Sequence, residues 1–178
     1  MDARQISNIL NGVDETRYYF KGCYESKNIP NWFANIVNGF IIVNTLNNTN
    51  KIGHWVLFYI KNTSLYYFDS FGNEPSVYGT YISNFYHAYP KDKTLVFKSP
   101  LQADFSYVCG AYVIYFSYMM CHNYSIAFIR NKFTKNKEYN DEIVSGFVYK
   151  ISGIKHVCNS SYCPSYMFLT RCRQYCSC

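Results

Sequence analysis

Acidic residues are scarce in this chain of 178 residues, where 11 Asp and Glu stand against 17 Lys and Arg. Charged residues of both signs reach only 16%, beside 49% apolar and 20% aromatic residues, which excludes the composition of a disordered chain. The excess of cations gives a net charge of +6, which permits contact with polyanions without identifying one. Long apolar runs are also missing. The most apolar stretch, Tyr107 to Met120, falls short of the roughly 20 residues that a bilayer span needs, so no contact with a membrane is expected. The opening residues, MDARQISNILNGVDETR, show neither a basic-then-apolar leader nor a small-residue cleavage site, and the expectation is a protein that starts in the cytosol and is not secreted by a signal peptide. No internal repeat and no Pro/Gly/Ser-rich linker divides the sequence, so a single domain over 1–178 is expected.

Cysteine, by contrast, is abundant. Five of the eight, Cys158, Cys163, Cys172, Cys176 and Cys178, mark 156–178 as a Cys-rich C-terminal segment. Their spacing lacks the paired Cys-x2-Cys knuckles of zinc sites, so no metal is expected, and free thiols or late disulfides are the reading. His156 and His87 read as surface residues and His122 as the end of a helix.

The pattern along the chain is α+β, a central, mainly antiparallel sheet with a buried helix against it. Residues 4–10 suggest a short helix stopped near Gly12, and 18–26 a segment that turns through Gly22 before Pro30 and Asn31 open another element. FIIVNTL (40–46) reads as a buried strand and NNTNKIG as the loop after it. HWVLFYIK (54–61) and LYYFD (65–69) read as a hairpin closed by Asn62 to Ser64. Residues 77–87 have helical spacing ended by Pro90, TLVFK (94–98) reads as a strand, and 141–151 as a last amphipathic helix after a solvated charge run. Between them, a polar turn-prone segment, 99–107, runs into Val108, Cys109 and Gly110 and then into an apolar helix reaching about Cys121.

That transition places Cys109 at a helix N-terminus, where first-turn N–H groups and the helix dipole favour a thiolate. His54 at the start of one hairpin strand and Asp69 at the end of the next fall side by side, so the carboxylate can fix the imidazole tautomer while the imidazole takes the thiol proton. Gln102, in the loop entering the helix, offers an amide N–H to an oxyanion beside the Cys109 N–H. Gly110 would leave room for a substrate backbone. Each residue has a plainer role on its own: a core thiol, a strand histidine, a turn aspartate. Their joint order carries the catalytic reading.

GHWVLFYI (53–60), YYFDSFG (66–72) and LQADFSYVCGAYVIYF (101–116) resemble the catalytic blocks of the adenovirus protease (adenain) family and, more distantly, of the Ulp-type proteases that remove ubiquitin-like proteins. The resemblance spans about 18–120, and YYFKGCYESKNIP and FIIVNT favour adenain. It implies an adenain/Ulp-like fold and a cysteine endopeptidase with His54 as base and acid, Asp69 as orienting acid, Cys109 as nucleophile and Gln102 as oxyanion donor. Trp55 would wall a narrow channel that admits Gly beside the scissile bond. It further implies cleavage of virion precursor proteins during particle maturation, capsid or core proteins as substrates, and residence in the virion and the host nucleus or cytoplasm. No cofactor is needed for the chemistry; activation by viral DNA or a viral peptide is carried as a further expectation, as are DNA as a partner of the basic face and a monomeric state. Between Asp69 and Gln102 there is no cysteine, so the disulfide-linked activation known in mammalian members is not expected. Two alternatives stay open: a Ulp-type deconjugating isopeptidase, and a catalytically silent structural domain.

Overall fold

The structure is a computed structural model that describes residues 1–46 and 53–152. The Cys-rich segment at 156–178, with His156, and most of the loop expected at 47–53 lie outside the described residues. At the centre is a five-stranded sheet in chain order: β1 (Phe20–Glu25), β2 (Gly39–Asn44), β3 (Trp55–Lys61), β4 (Ser64–Phe68) and β5 (Lys93–Leu95). The β2–β3 and β3–β4 pairs are antiparallel, as expected, and each edge strand is added in parallel.

The β3–β4 turn is tight because Asn62 and Thr63 both take positive φ, 50° and 67°, which matches the twist of a two-residue hairpin. Most of the segment 18–26, expected to turn at Gly22, is instead strand β1, over Phe20–Glu25. Gly22, at φ 125°, absorbs a register shift between Phe20 and Cys23, so the glycine makes a bulge within a strand rather than ending one.

Helices α1 (Ala3–Gly12), α2 (Asp14–Arg17), α3 (Thr80–Ala88), α4 (Cys109–Cys121), α5 (Ile126–Arg130) and α6 (Lys137–Ser152) cover the sheet. The Asp2 and Gln5 side chains close a capping box that fixes the start of α1. Helix α6 begins at Lys137, four residues before the expected start at 141, because the charge run supplies its first turn. Strands β2 and β3 are buried on both faces, which is why they read as unbroken apolar runs. Phe40, Ile42, Leu57 and Phe68 face α4, whereas Ile41, Val43, Val56, Phe58 and Tyr67 face Phe33 and the α3 residues Ile82 and Tyr86. Helix α4 is apolar all round and buried along nearly its whole length. The Phe68 and Phe116 rings stack with centroids 4.4 Å apart, clamping the end of β4 to α4. The next residue after Phe68 is Asp69, and α4 begins at Cys109.

Among the described residues, no helix is long and apolar enough to cross a membrane.

Candidate active site

Antiparallel pairing of β3 and β4 sets His54, just before β3, beside Asp69, just after β4. His54 Nε2 lies 2.6 Å from Asp69 Oδ1, and both side chains are largely shielded from water. Nδ1 is left free of Asp69, and the Cys109 thiol lies near enough to the imidazole and to the Trp55 backbone for both to shift its ionisation. The three residues singled out in the sequence, separated by up to 55 positions, are thus brought together at the open end of the hairpin.

The electrostatics follow from that arrangement. Burial by itself depresses His54, but the Asp69 hydrogen bond and the Cys109 thiol outweigh it and lift the imidazole to about 9. Burial pushes Cys109 up; the hydrogen bond and charge of His54, the Trp55 backbone and the α-ammonium of Met1 overcome this and bring it below the ordinary thiol value. Each partner therefore favours the charged form of the other, the condition for a thiolate–imidazolium pair.

Asp69 serves the turn and the histidine together. Its Oδ1 accepts from Phe71 N (2.9 Å) as well as from His54, and its Oδ2 accepts from Asn73 N (3.0 Å) and from the Tyr78 hydroxyl (2.7 Å). The plain reading of a turn aspartate and the catalytic one are thus the same geometry.

Gln102 is tied to the residue after the acid. Leu101 N and Gln102 N donate to the Ser70 carbonyl (2.8 and 3.1 Å), and the Ser70 hydroxyl donates to Gln102 Oε1 at 2.7 Å. Gln102 Nε2 donates to the Ser106 carbonyl at 2.8 Å. A carbonyl can only accept, which fixes the amide orientation and leaves one Nε2 hydrogen for an oxyanion. Gly72, at φ 70°, lets this turn press on the Ser99 backbone; an added Cβ would sit 2.6 Å from the Ser99 carbonyl carbon. The Leu101 carbonyl is held by Asn140 Nδ2 at 3.1 Å. The Cys109 N–H, in the first turn of α4, has no intrahelical acceptor.

Trp55 and Gly110 stand beside Cys109, but Met1 covers both. The Trp55 indole N–H donates to the Met1 carbonyl at 3.0 Å. A Cβ on Gly110 would lie 3.1 Å from Met1 Cβ and 3.5 Å from Ile6 Cδ1, so the space expected for a substrate backbone holds α1 and its leading residue. The site is closed as it stands: Cys109 is 8% exposed and Gln102 not at all. His87 is exposed, and His122 follows α4 with Nδ1 3.0 Å from the Tyr118 carbonyl, as read from the sequence. Among the described residues no cluster of three or more His, Cys, Asp or Glu could hold a metal.

Sequence reasoning missed Ser70, Phe71, Tyr78 and Met1. The run from Ser70 to Asn73 signals a turn but not its hydrogen bonds, and nothing in the sequence announces a contact between residue 1 and residue 55.

No protein-family model and no curated protein matches the sequence. Among solved structures, the chain is similar to the Chlamydia trachomatis effector protein ChlaDUB1, at 16% identity over 84% of this chain and 70% of that one, with a TM-score of 0.51. That likeness is one of fold. It does not single out adenain.

Proposed function

We propose that this protein is a cysteine peptidase that deconjugates ubiquitin-like modifiers, hydrolysing the amide bond after their terminal Gly. The observation that carries the reading is the His54 imidazole, held at 2.6 Å by Asp69 and close to the Cys109 thiol at the head of α4. In the reaction the Cys109 thiolate attacks the carbonyl carbon, and the oxyanion is received by the Cys109 N–H and Gln102 Nε2. The His54 imidazolium gives its proton to the departing amine, leaving a thioester on Cys109. Water, deprotonated by His54, then attacks the thioester and restores the thiol. Asp69 keeps the Nε2 proton in place throughout, so Nδ1 is the atom that exchanges the proton.

The shared fold with ChlaDUB1 favours deconjugation over the virion-maturation endopeptidase expected from the sequence blocks. That second reading keeps the support of those blocks around His54, Asp69 and Cys109.

The test is to incubate the purified protein with ubiquitin and SUMO carrying a C-terminal fluorogenic amide, and with capsid precursors containing Gly, with and without DNA. Release of the fluorophore by wild type and not by Cys109→Ala is expected. Cleavage of the precursors alone would return the function to virion maturation, and cleavage of neither would overturn both.

A further inference from the structure

We propose that Tyr78 is a positioning residue of this site, one whose ring sets the plane of the His54 imidazole while its hydroxyl fixes the Asp69 carboxylate. The inference rests on the peptidase reading and extends it to a residue outside the triad.

Asp69 receives four donors, two on each oxygen. Two are backbone N–H groups of its own turn, Phe71 and Asn73, and one is the histidine it orients. The fourth is the Tyr78 hydroxyl, at 2.7 Å from Oδ2. The backbone pair already closes the turn, so the phenol is not needed to build it. Asn73 Nδ2 donates to the same phenol oxygen at 3.0 Å, which directs the single phenolic hydrogen at the carboxylate. Burial, reinforced by the charge of Asp69, pushes the phenol well above its ordinary value, and Tyr78 remains a neutral donor wherever the pair works.

The same side chain reaches the base. Its ring lies 5.6 Å from the imidazole centroid with the planes 25° apart, and the Phe71 ring contacts the imidazole at 4.8 Å. A 3-10 turn over Pro75–Tyr78, with Pro75 buried and Gly79 ending it at φ 88°, returns the chain so that Tyr78 stands over Asp69. Rotation of the carboxylate would lengthen the bond to Nε2 and weaken the hold on the imidazolium; the phenol on the other oxygen resists that rotation. Tilting of the imidazole would swing Nδ1 away from sulfur, and the stacked ring resists that.

The test compares wild type, Tyr78→Phe and Tyr78→Ala by the rate at which iodoacetamide alkylates Cys109 across the pH scale, read on the Cys109 peptide by mass spectrometry, with thermal unfolding alongside. Tyr78→Phe keeps the ring and loses the hydroxyl. Its thiolate midpoint is expected to rise, and alkylation at neutral pH to fall about tenfold, the order set by one hydrogen bond to a charged group. Tyr78→Ala is expected to fall further, and the melting temperature of Tyr78→Phe to stay within a few degrees of wild type. A Tyr78→Phe profile that overlays wild type overturns the proposal, as does a loss that only tracks unfolding with the midpoint unmoved. Alkylation requires no substrate, so failure to cut any conjugate would count against the deconjugating function and leave this comparison standing.

Discussion

The imidazole of His54 meets the carboxylate of Asp69 through Nε2, at 2.6 Å, across the open end of the β3–β4 hairpin. This orientation reserves Nδ1 for Cys109 and couples the titration of the two to the fold. His54 is raised from 6.5 to about 9, so its contribution to stability is complete below pH 6.5 and is lost as pH rises through about 9. Cys109 is lowered from 9.0, so its contribution is present above that value and is lost as pH falls through the folded midpoint. Above pH 6.5, and between the folded Cys109 midpoint and about 9, the two slopes oppose each other. Cys109→Ser, whose hydroxyl does not ionise, loses the thiol slope together with the thiol's share of the rise in His54, and keeps the part of the histidine slope that Asp69 supplies. Thermal unfolding is therefore expected to show stability falling more steeply with pH in Cys109→Ser than in wild type as alkaline pH is approached; parallel curves would count against the coupled pair.

The side-chain hydrogen bonds of Gln102 go to Ser70 and Ser106, so its loss should separate turnover from thiol activation. Gln102→Ala is expected to reduce turnover about 100- to 1000-fold, as removal of one oxyanion donor does, with the alkylation midpoint of Cys109 unchanged. Ser70→Ala releases Oε1 but leaves the Nε2 bond to the Ser106 carbonyl. A smaller loss, about tenfold, is expected there. Steady-state kinetics on a cleavable conjugate, paired with alkylation, checks both; a moved midpoint in Gln102→Ala would assign the residue to the nucleophile instead.

The elements that build this site were legible because their signals are local. Apolar runs announced β2, β3 and β4, and the step from a polar turn into an apolar helix announced α4 with Cys109 at its head. Strand β1 was not legible, since Gly22 breaks the alternation where the bulge absorbs it and the pairing partner lies about 20 residues on. The roles of Ser70 and Tyr78 depend on side-chain hydrogen bonds that close only after the hairpin and the turn at Asp69 have formed. Gly110 illustrates the limit from the other side: its small size could be read, but not that Met1 and Ile6 would fill the space.

Tyr67 carries a buried hydroxyl with no hydrogen-bond partner among the described residues, while its ring packs on Phe58 at 5.2 Å and Tyr86 at 5.9 Å. An unpaired buried hydroxyl destabilises a fold by about 1 kcal/mol or more. Tyr67→Phe retains the ring contacts and removes the oxygen, so the melting temperature is expected to rise by about 2–4 °C. A fall would show that the hydroxyl has a partner in solution.

The closed state gives the last prediction, which concerns access rather than acid–base chemistry. Met1 is held over Gly110 by the Trp55 indole N–H, and Asp2 behind it is fixed by the capping box of α1. Any substrate reaching Cys109 beside Trp55 and Gly110 must displace that residue. Trp55→Phe keeps an aromatic wall and removes the single hydrogen bond to the Met1 carbonyl. Loss of one neutral hydrogen bond makes opening about threefold to tenfold more frequent. Alkylation of Cys109 is therefore expected to accelerate by about that factor, with the midpoint moved little, because His54 and Asp69 are untouched and the Met1 ammonium is the smallest of the influences on the thiol. An unchanged rate would mean that the first residue does not limit entry, and a clearly shifted midpoint that Trp55 acts on the thiolate itself, through its nearby backbone.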